Sequence, residues 1–154
     1  MIETDLKIED IIEKEGIYSC LTKGTSMQPF IVSGRDTVCL VKPKEKFSFG
    51  DIVLYKTKEK YILHRVIGFK KNGSLVIRGD NTYRKEYKAP SEIIAVCEGI
   101  YRNEKYILCS DFRCRESARM RYITFPLRLM KYNSRKILSK IYHRIFGKKD
   151  NEKI

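Results

Sequence analysis

Three side chains of this 154-residue chain stand in distinct short contexts and are of types that transfer protons or attack a carbonyl. Ser26 lies in G-T-S-M-Q-P, His64 in L-H-R-V-I-G and Asp80 in R-G-D-N. A serine attacks only after a base takes its proton, and an imidazole with a pKa of ~6.5 can be that base near neutrality. Taken singly, the three residues are typical of a turn serine, a structural strand histidine and a turn aspartate.

These stretches form a larger pattern with G-D-I-V-L-Y at 50–55. In order and spacing, the four resemble the motif set of type I signal peptidases and their relatives, the self-cleaving repressors. The resemblance covers about residues 16–100. It implies that Ser26 is the nucleophile. It also implies that His64 is the base, at a position where bacterial signal peptidases have lysine and other branches have histidine.

The third member of a Ser-His site is an acid that holds the histidine in one tautomer. Asp80 is the first candidate. In relatives with histidine, however, the acid is often an aspartate about six residues further on, and Glu86 stands there in this chain. We therefore expect Asp80, with Glu86 as the alternative. The resemblance further implies an oxyanion site at the Ser26 N–H, with Gly24 at a position where some relatives add a serine hydroxyl.

The pattern favours a soluble serine endopeptidase that cleaves an extended peptide or leader segment and needs no cofactor or metal. One alternative is a self-cleaving repressor-type regulator, but only about 15 residues precede the β-rich region, too few for a helix-turn-helix module. The other is a non-enzymatic membrane or nucleic-acid adaptor on the same fold. The presence of both Ser26 and His64 argues against the adaptor.

The hydrophobic pattern predicts a mainly β protein, either a compact coiled sheet or a small barrel. The resemblance implies that this domain is of the signal peptidase catalytic-core type. Residues 5–15 are expected to form a short helix, capped by Asp5 and ended by Gly16. Asn72-Gly73 between two apolar runs predicts a hairpin. The predicted strands are Ile17–Lys23, Thr37–Lys42, Ile52–Lys56, Tyr61–Lys70, Ser74–Arg78, Ile93–Tyr101 and Lys105–Cys109.

Charge separates the last third of the chain from the rest. The net charge is +13, and residues 101–154 hold 15 basic and 5 acidic residues. We expect a peptidase-like domain over 1–112 and a basic amphipathic helical tail over 113–154, with one helix opened by Pro126, another capped by Ser134 and an end at Gly147. Such a tail suits an anionic membrane surface. Nucleic acid is disfavoured because no recognised binding motif accompanies the charge.

Cysteine usage and the N-terminus suggest a compartment. The five cysteines are odd in number and form no C-x-x-C pair, and the chain has two histidines, so we expect a reducing environment and no zinc site. The acidic N-terminal stretch lacks the apolar run of a secretory signal. The expectation is a cytoplasmic protein, with peripheral contact to the inner membrane face through its tail.

Overall fold

The fold is mainly β, as predicted. A computed structural model of the chain describes residues 7–58 and 60–146. Its helices are α1 (Ile8–Glu15), α2 (Phe112–Ile123) and α3 (Phe125–Phe146), and a short 3-10 turn spans Pro90–Glu92. The strands are β1 (Ile17–Leu21), β2 (Thr37–Val41), β3 (Ile52–Thr57), β4 (Lys60–Phe69), β5 (Leu75–Arg78), β6 (Glu86–Lys88), β7 (Ile93–Arg102) and β8 (Lys105–Leu108).

All eight strands join one antiparallel sheet in the order β1-β2-β7-β3-β4-β5-β6. The long strand β7 pairs with β2 along one side and with β3 and then β8 along the other. The sheet is open, with β1 and β6 at its ends, so of the two predicted forms the barrel is not the one adopted. Register shifts interrupt the β2–β7, β3–β7 and β4–β5 pairings, and such bulges increase the local twist of a sheet.

The core forms on both faces of the sheet. Strand β3 shows this most clearly, because Ile52 and Leu54 belong to one hydrophobic cluster and Val53 and Tyr55 to the other. Successive side chains of a strand point to opposite faces, so a strand covered on both sides reads as a continuous apolar run. Side chains of β3 therefore pack on both faces of the sheet, and Tyr55 places a hydroxyl on the face that carries Val53.

Local turn chemistry agrees with the sequence in two places. Gly16 ends α1 in the left-handed conformation, with φ 81° and its N–H bonded to the Ile12 carbonyl. Gly73, with φ 82°, closes the β4–β5 hairpin by donating to the Lys70 carbonyl. The predicted cap Asp5 lies outside the described residues, and Lys7 occupies the N-cap position of α1.

The C-terminal helices differ from the prediction. Pro126 lies in the first turn of α3, as predicted, but Ser134 is not the N-cap of a separate helix. It lies inside the continuous helix α3, where its hydroxyl donates to the Met130 carbonyl at 2.9 Å. This bond to the preceding turn satisfies a serine without ending the helix. The predicted end at Gly147 lies outside the described residues.

The chain divides into two compact units between Met120 and Arg121. Most of α2 therefore belongs with the sheet. Its Cys114 and Ala118 are buried, and a Cβ placed on Gly50 would lie 3.5 Å from the Ala118 side chain. Among the described residues, no helix combines the length and the apolar composition needed to cross a bilayer.

Candidate active site

Ser26 lies in a turn that is held from both sides. Gly24, with φ 93°, begins the turn in a conformation that favours glycine, and the buried side chains of Met27 and Ile31 anchor its far end in the core. The Ser26 carbonyl accepts a hydrogen bond from the Asn81 N–H at 2.7 Å. Its backbone is thereby fixed against the loop that follows β5, while the side chain is half-buried.

A buried carboxylate secures the segment between this turn and β2. Asp36 is fully buried and accepts hydrogen bonds from the Val32 N–H and from the guanidinium groups of Arg35 and Arg102, all between 2.8 and 3.0 Å. These donors hold the pKa of Asp36 far below its usual range, against the opposing effect of burial. Arg102 also donates to the Phe30 carbonyl. The chain leaving the Ser26 turn is thus bound to β7.

His64 stands on β4, opposite Val53 of β3, with 6% of its surface exposed. Its Nδ1 lies 3.0 Å from the Tyr55 hydroxyl and 3.2 Å from Glu86 Oε1. The Tyr55 hydroxyl in turn donates to Glu86 Oε2 at 2.7 Å. Because Tyr55 has one hydroxyl proton and gives it to Glu86, both groups facing Nδ1 are acceptors. His64 therefore carries its proton on Nδ1, and Nε2 keeps a free electron pair.

Nε2 lies on the side of the ring where Ser26 is found. A Cβ built on Gly79 would lie 2.9 Å from His64 Nε2 and 2.7 Å from the Ser26 carbonyl oxygen. Real Cβ atoms do not approach other atoms so closely, so only glycine fits between the two residues. Gly79 thus permits the Ser26 turn and the imidazole to approach one another.

Replacing Gly79 with alanine is expected to lower any turnover that depends on Ser26 and His64 together at least ~100-fold, since the added methyl group must displace either His64 or the Ser26 backbone. Ser74→Ala, in the β4–β5 hairpin, is the control. Peptide hydrolysis and thermal melting of the purified variants measure the effect. Wild-type turnover in Gly79→Ala would show that the approach of the two residues is not needed.

Burial and charge pull the pKa of His64 in opposite directions. Burial has the larger effect and lowers the pKa below 6.5, while the nearby Glu86 and, more weakly, Asp80 raise it. Burial and Glu86 both raise the pKa of Tyr55, so its hydroxyl stays protonated and remains a donor to Glu86. The imidazole is consequently neutral at pH 7, as a general base must be.

Asp80, the acid that the sequence favoured, is engaged by Arg65. Arg65 donates to both of its carboxylate oxygens, from Nε at 2.9 Å and from Nη2 at 2.8 Å, and both side chains are buried. Arg65 also donates to the Gly50 carbonyl and packs against the Phe30 ring at 5.0 Å. Asp80 therefore ties the loop after β5 to β4, and the contact with His64 Nδ1 falls to Glu86 and Tyr55.

A groove with a volume of about 410 Å³ opens beside Ser26 and His64, and both residues line it. Its walls are mainly apolar and include Met27 and Leu63. Met27 is both buried and part of the wall, whereas Phe30 packs on the Arg65 guanidinium. Within residues 7–58 and 60–146, no hydrogen bond joins Ser26 Oγ to His64 Nε2. Such bonds often tighten only when substrate binds.

Tyr55 is the site residue that the sequence reasoning missed. It lies within the G-D-I-V-L-Y stretch, and the alternation of β3 places it on the same face as Val53. Only the β3–β4 register, in which Val53 faces His64, brings Tyr55 to the imidazole as a diagonal neighbour. Glu86 was named, but the short strand β6 that carries it and pairs with β5 was not predicted.

The described part of the chain contains no group of three His, Cys, Asp or Glu residues that could hold a metal ion. All five cysteines are free thiols. In comparisons with known proteins, no family model, no curated protein and no solved structure matches this chain.

Proposed function

We propose that this chain is a serine endopeptidase of the signal peptidase type, with Ser26 as nucleophile, His64 as general base and Glu86 with Tyr55 as the groups that orient His64. The observation that carries the proposal is the placement of the two ring nitrogens of His64. Nδ1 faces two acceptors at 3.0 and 3.2 Å, while Nε2 keeps its electron pair on the side of the Ser26 turn. This placement leaves Nε2 available to take a proton from Ser26.

The reaction follows from these positions. Ser26 Oγ attacks the carbonyl carbon of the scissile peptide bond as its proton passes to His64 Nε2. The imidazolium so formed is stabilised by the Glu86 carboxylate, whose nearest oxygen lies 3.2 Å from Nδ1. His64 then gives the proton to the leaving amine. Water, activated by the same nitrogen, hydrolyses the acyl-enzyme and restores Ser26.

The oxyanion that forms during attack needs a hydrogen-bond donor. The Ser26 N–H is suited to this task, because among the described residues it donates to no backbone carbonyl. Gly24 supplies no hydroxyl, so a side-chain donor at that position is missing. Loss of one such donor typically costs ~3 kcal/mol of transition-state stabilisation, and we expect modest turnover accordingly.

The groove agrees with a peptide substrate. Its apolar wall, with Leu54 and Leu63 from two neighbouring strands, can take up an apolar side chain next to the scissile bond. Strand β1 forms an end of the sheet, and its Cys20 and Leu21 also line the groove. An extended peptide can therefore pair with β1 while its carbonyl meets Ser26.

A fluorophosphonate probe, which reacts only with an activated serine, tests the proposal without knowledge of the substrate. We expect labelling at Ser26, located by mass spectrometry, and none in Ser26→Ala or after heat denaturation. The labelling rate should rise with pH as His64 loses its proton and level off above its pKa, with a midpoint below 6.5 because burial lowers that pKa. Absence of labelling in the folded protein at pH 8 would refute a catalytic Ser26.

A further inference from the structure

The helix α3 has the composition of a helix that lies on a charged surface. It spans 22 residues, about 33 Å at ~1.5 Å per residue. Its sequence holds six Lys or Arg residues and no Asp or Glu. From Met130 to Arg144 every residue is exposed. The helix is long enough to cross a bilayer, but its charges forbid it.

Six exposed apolar residues of α3 lie along one side. At ~100° per residue they fall within a stripe about 140° wide. Its exposed members are Leu127, Met130, Ile137, Leu138, Ile141 and Tyr142. Two polar residues fall within the stripe: Lys131, near its edge beside Tyr142, and Ser134, whose hydroxyl is already bonded to the Met130 carbonyl. The stripe can therefore leave water without burying an unsatisfied hydroxyl.

Basic residues border this stripe. By the same helical spacing, Lys131 and Arg135 lie along one border and Lys140 and Arg144 towards the other, while Lys136 lies on the opposite side. In a helix at a membrane interface, apolar side chains enter the acyl region and flanking cations meet the headgroups. Long basic side chains suit this place, because their stems cover apolar surface while the charge stays at the headgroup level.

We propose that α3 is a membrane-surface anchor, lying in the plane of an anionic leaflet with the Leu138 side inward. The basic residues on both flanks of the stripe indicate which kind of partner covers it. A protein partner covering the stripe would have to supply acidic residues on both flanks, whereas a leaflet of anionic lipid presents negative charge on every side. A nucleic acid would use the basic residues but has no use for the six apolar ones between them. The inference is independent of the chemistry at Ser26.

Vesicle co-sedimentation of the full chain tests the anchor. Vesicles of phosphatidylglycerol and phosphatidylcholine in equal parts should bind the protein at low salt, and vesicles of phosphatidylcholine alone should bind it far less. Raising the salt should release much of it, since salt screens the charges. Protein that stays in the supernatant at low salt overturns the proposal.

Two double variants separate the apolar and electrostatic contributions. Leu138→Ser with Ile141→Ser should lower the partition coefficient at least ~10-fold, and Lys131→Gln with Arg135→Gln should lower it roughly 30-fold. Tyr132→Ser, which removes an exposed ring on the side away from the stripe, is the matched control and should bind like the wild type. All the substituted residues are exposed, so circular dichroism should be unchanged.

Three results would count against the anchor. Wild-type binding by the Leu138/Ile141 variant would mean that the stripe does not enter the bilayer. The wild type could instead form a dimer in solution without binding vesicles. If the Leu138/Ile141 substitutions dissociate that dimer, the stripe is an interface with a second copy of the chain. Binding to RNA that is insensitive to the stripe, again without vesicle binding, would assign the charges to nucleic acid.

Discussion

Replacing Ser26 with alanine is expected to abolish peptide-bond hydrolysis, with a loss in kcat of at least ~10⁴-fold. The hydroxyl is the proposed nucleophile, and alanine leaves His64 with nothing to activate. The fold should survive, because Ser26 is anchored through its carbonyl to the Asn81 N–H and through its buried neighbour Met27. We expect the free energy of unfolding to change by no more than about 0.5 kcal/mol.

The measurement must find the substrate as well as the effect. Mass spectrometry of terminal peptides, from cells that express either the wild type or Ser26→Ala, should reveal new termini only with the wild type. Ser74→Ala serves as the control for expression and for loss of a hydroxyl outside the site. The proposal that the chain is a peptidase would be contradicted by identical termini in the two strains. It would also be contradicted if purified Ser26→Ala cleaved a peptide at the wild-type rate.

Glu86→Gln is expected to lower turnover, whereas Asp80→Asn is expected to lower stability. Glutamine at 86 removes the charge that stabilises the His64 imidazolium, so turnover should fall ~10²–10⁴-fold with little change in melting temperature. The acid limb of the pH profile should also move to lower pH, because Glu86 raises the pKa of His64 and its charge is then missing.

Asparagine at 80 should instead affect stability. It leaves Arg65, 1% exposed, without its carboxylate partner. Breaking such a buried pair costs ~3–5 kcal/mol, which lowers Tm by roughly 10 °C in a chain of this size. Turnover measured well below Tm should fall much less than in Glu86→Gln.

Melting curves and kcat of the two variants, with Arg65→Gln/Asp80→Asn as a further control, distinguish the roles. Removing both charges should restore part of the stability that Asp80→Asn loses, because the unpaired buried cation is then gone. If Asp80→Asn keeps its melting temperature and loses more turnover than Glu86→Gln, the orienting role returns to Asp80.

Tyr55→Phe keeps the ring but removes the hydroxyl that lies between His64 Nδ1 and Glu86. This variant should lose turnover, and the acid limb of its pH profile should shift less than that of Glu86→Gln.

Local signals in the sequence were sufficient for most of the elements. Gly16 and Gly73 each provide a left-handed residue at a chain reversal, and the apolar runs between turns became strands within one to two residues of their predicted ends. The predictions that failed involve choices with no local signal. Ser134 can cap a helix or sit inside one, and the outcome depends on whether the chain before it is already helical. An open and a closed sheet share the same alternation, so closure depends on whether the end strands meet.

The sequence by itself determined that Ser26, His64 and two candidate acids are present, in an order that resembles the motif set of type I signal peptidases, because types and spacing can be read along the chain. Which acid faces the imidazole is decided by strand register. Arg65 stands next to His64 on β4 and points to the other face of the sheet, and both oxygens of Asp80 bind it there. Strand β6 pairs with β5 and carries Glu86 to within 3.2 Å of Nδ1, while β3 brings the Tyr55 hydroxyl to 3.0 Å. These contacts join residues 9 to 22 positions apart, and only the pairing of strands brings such residues together.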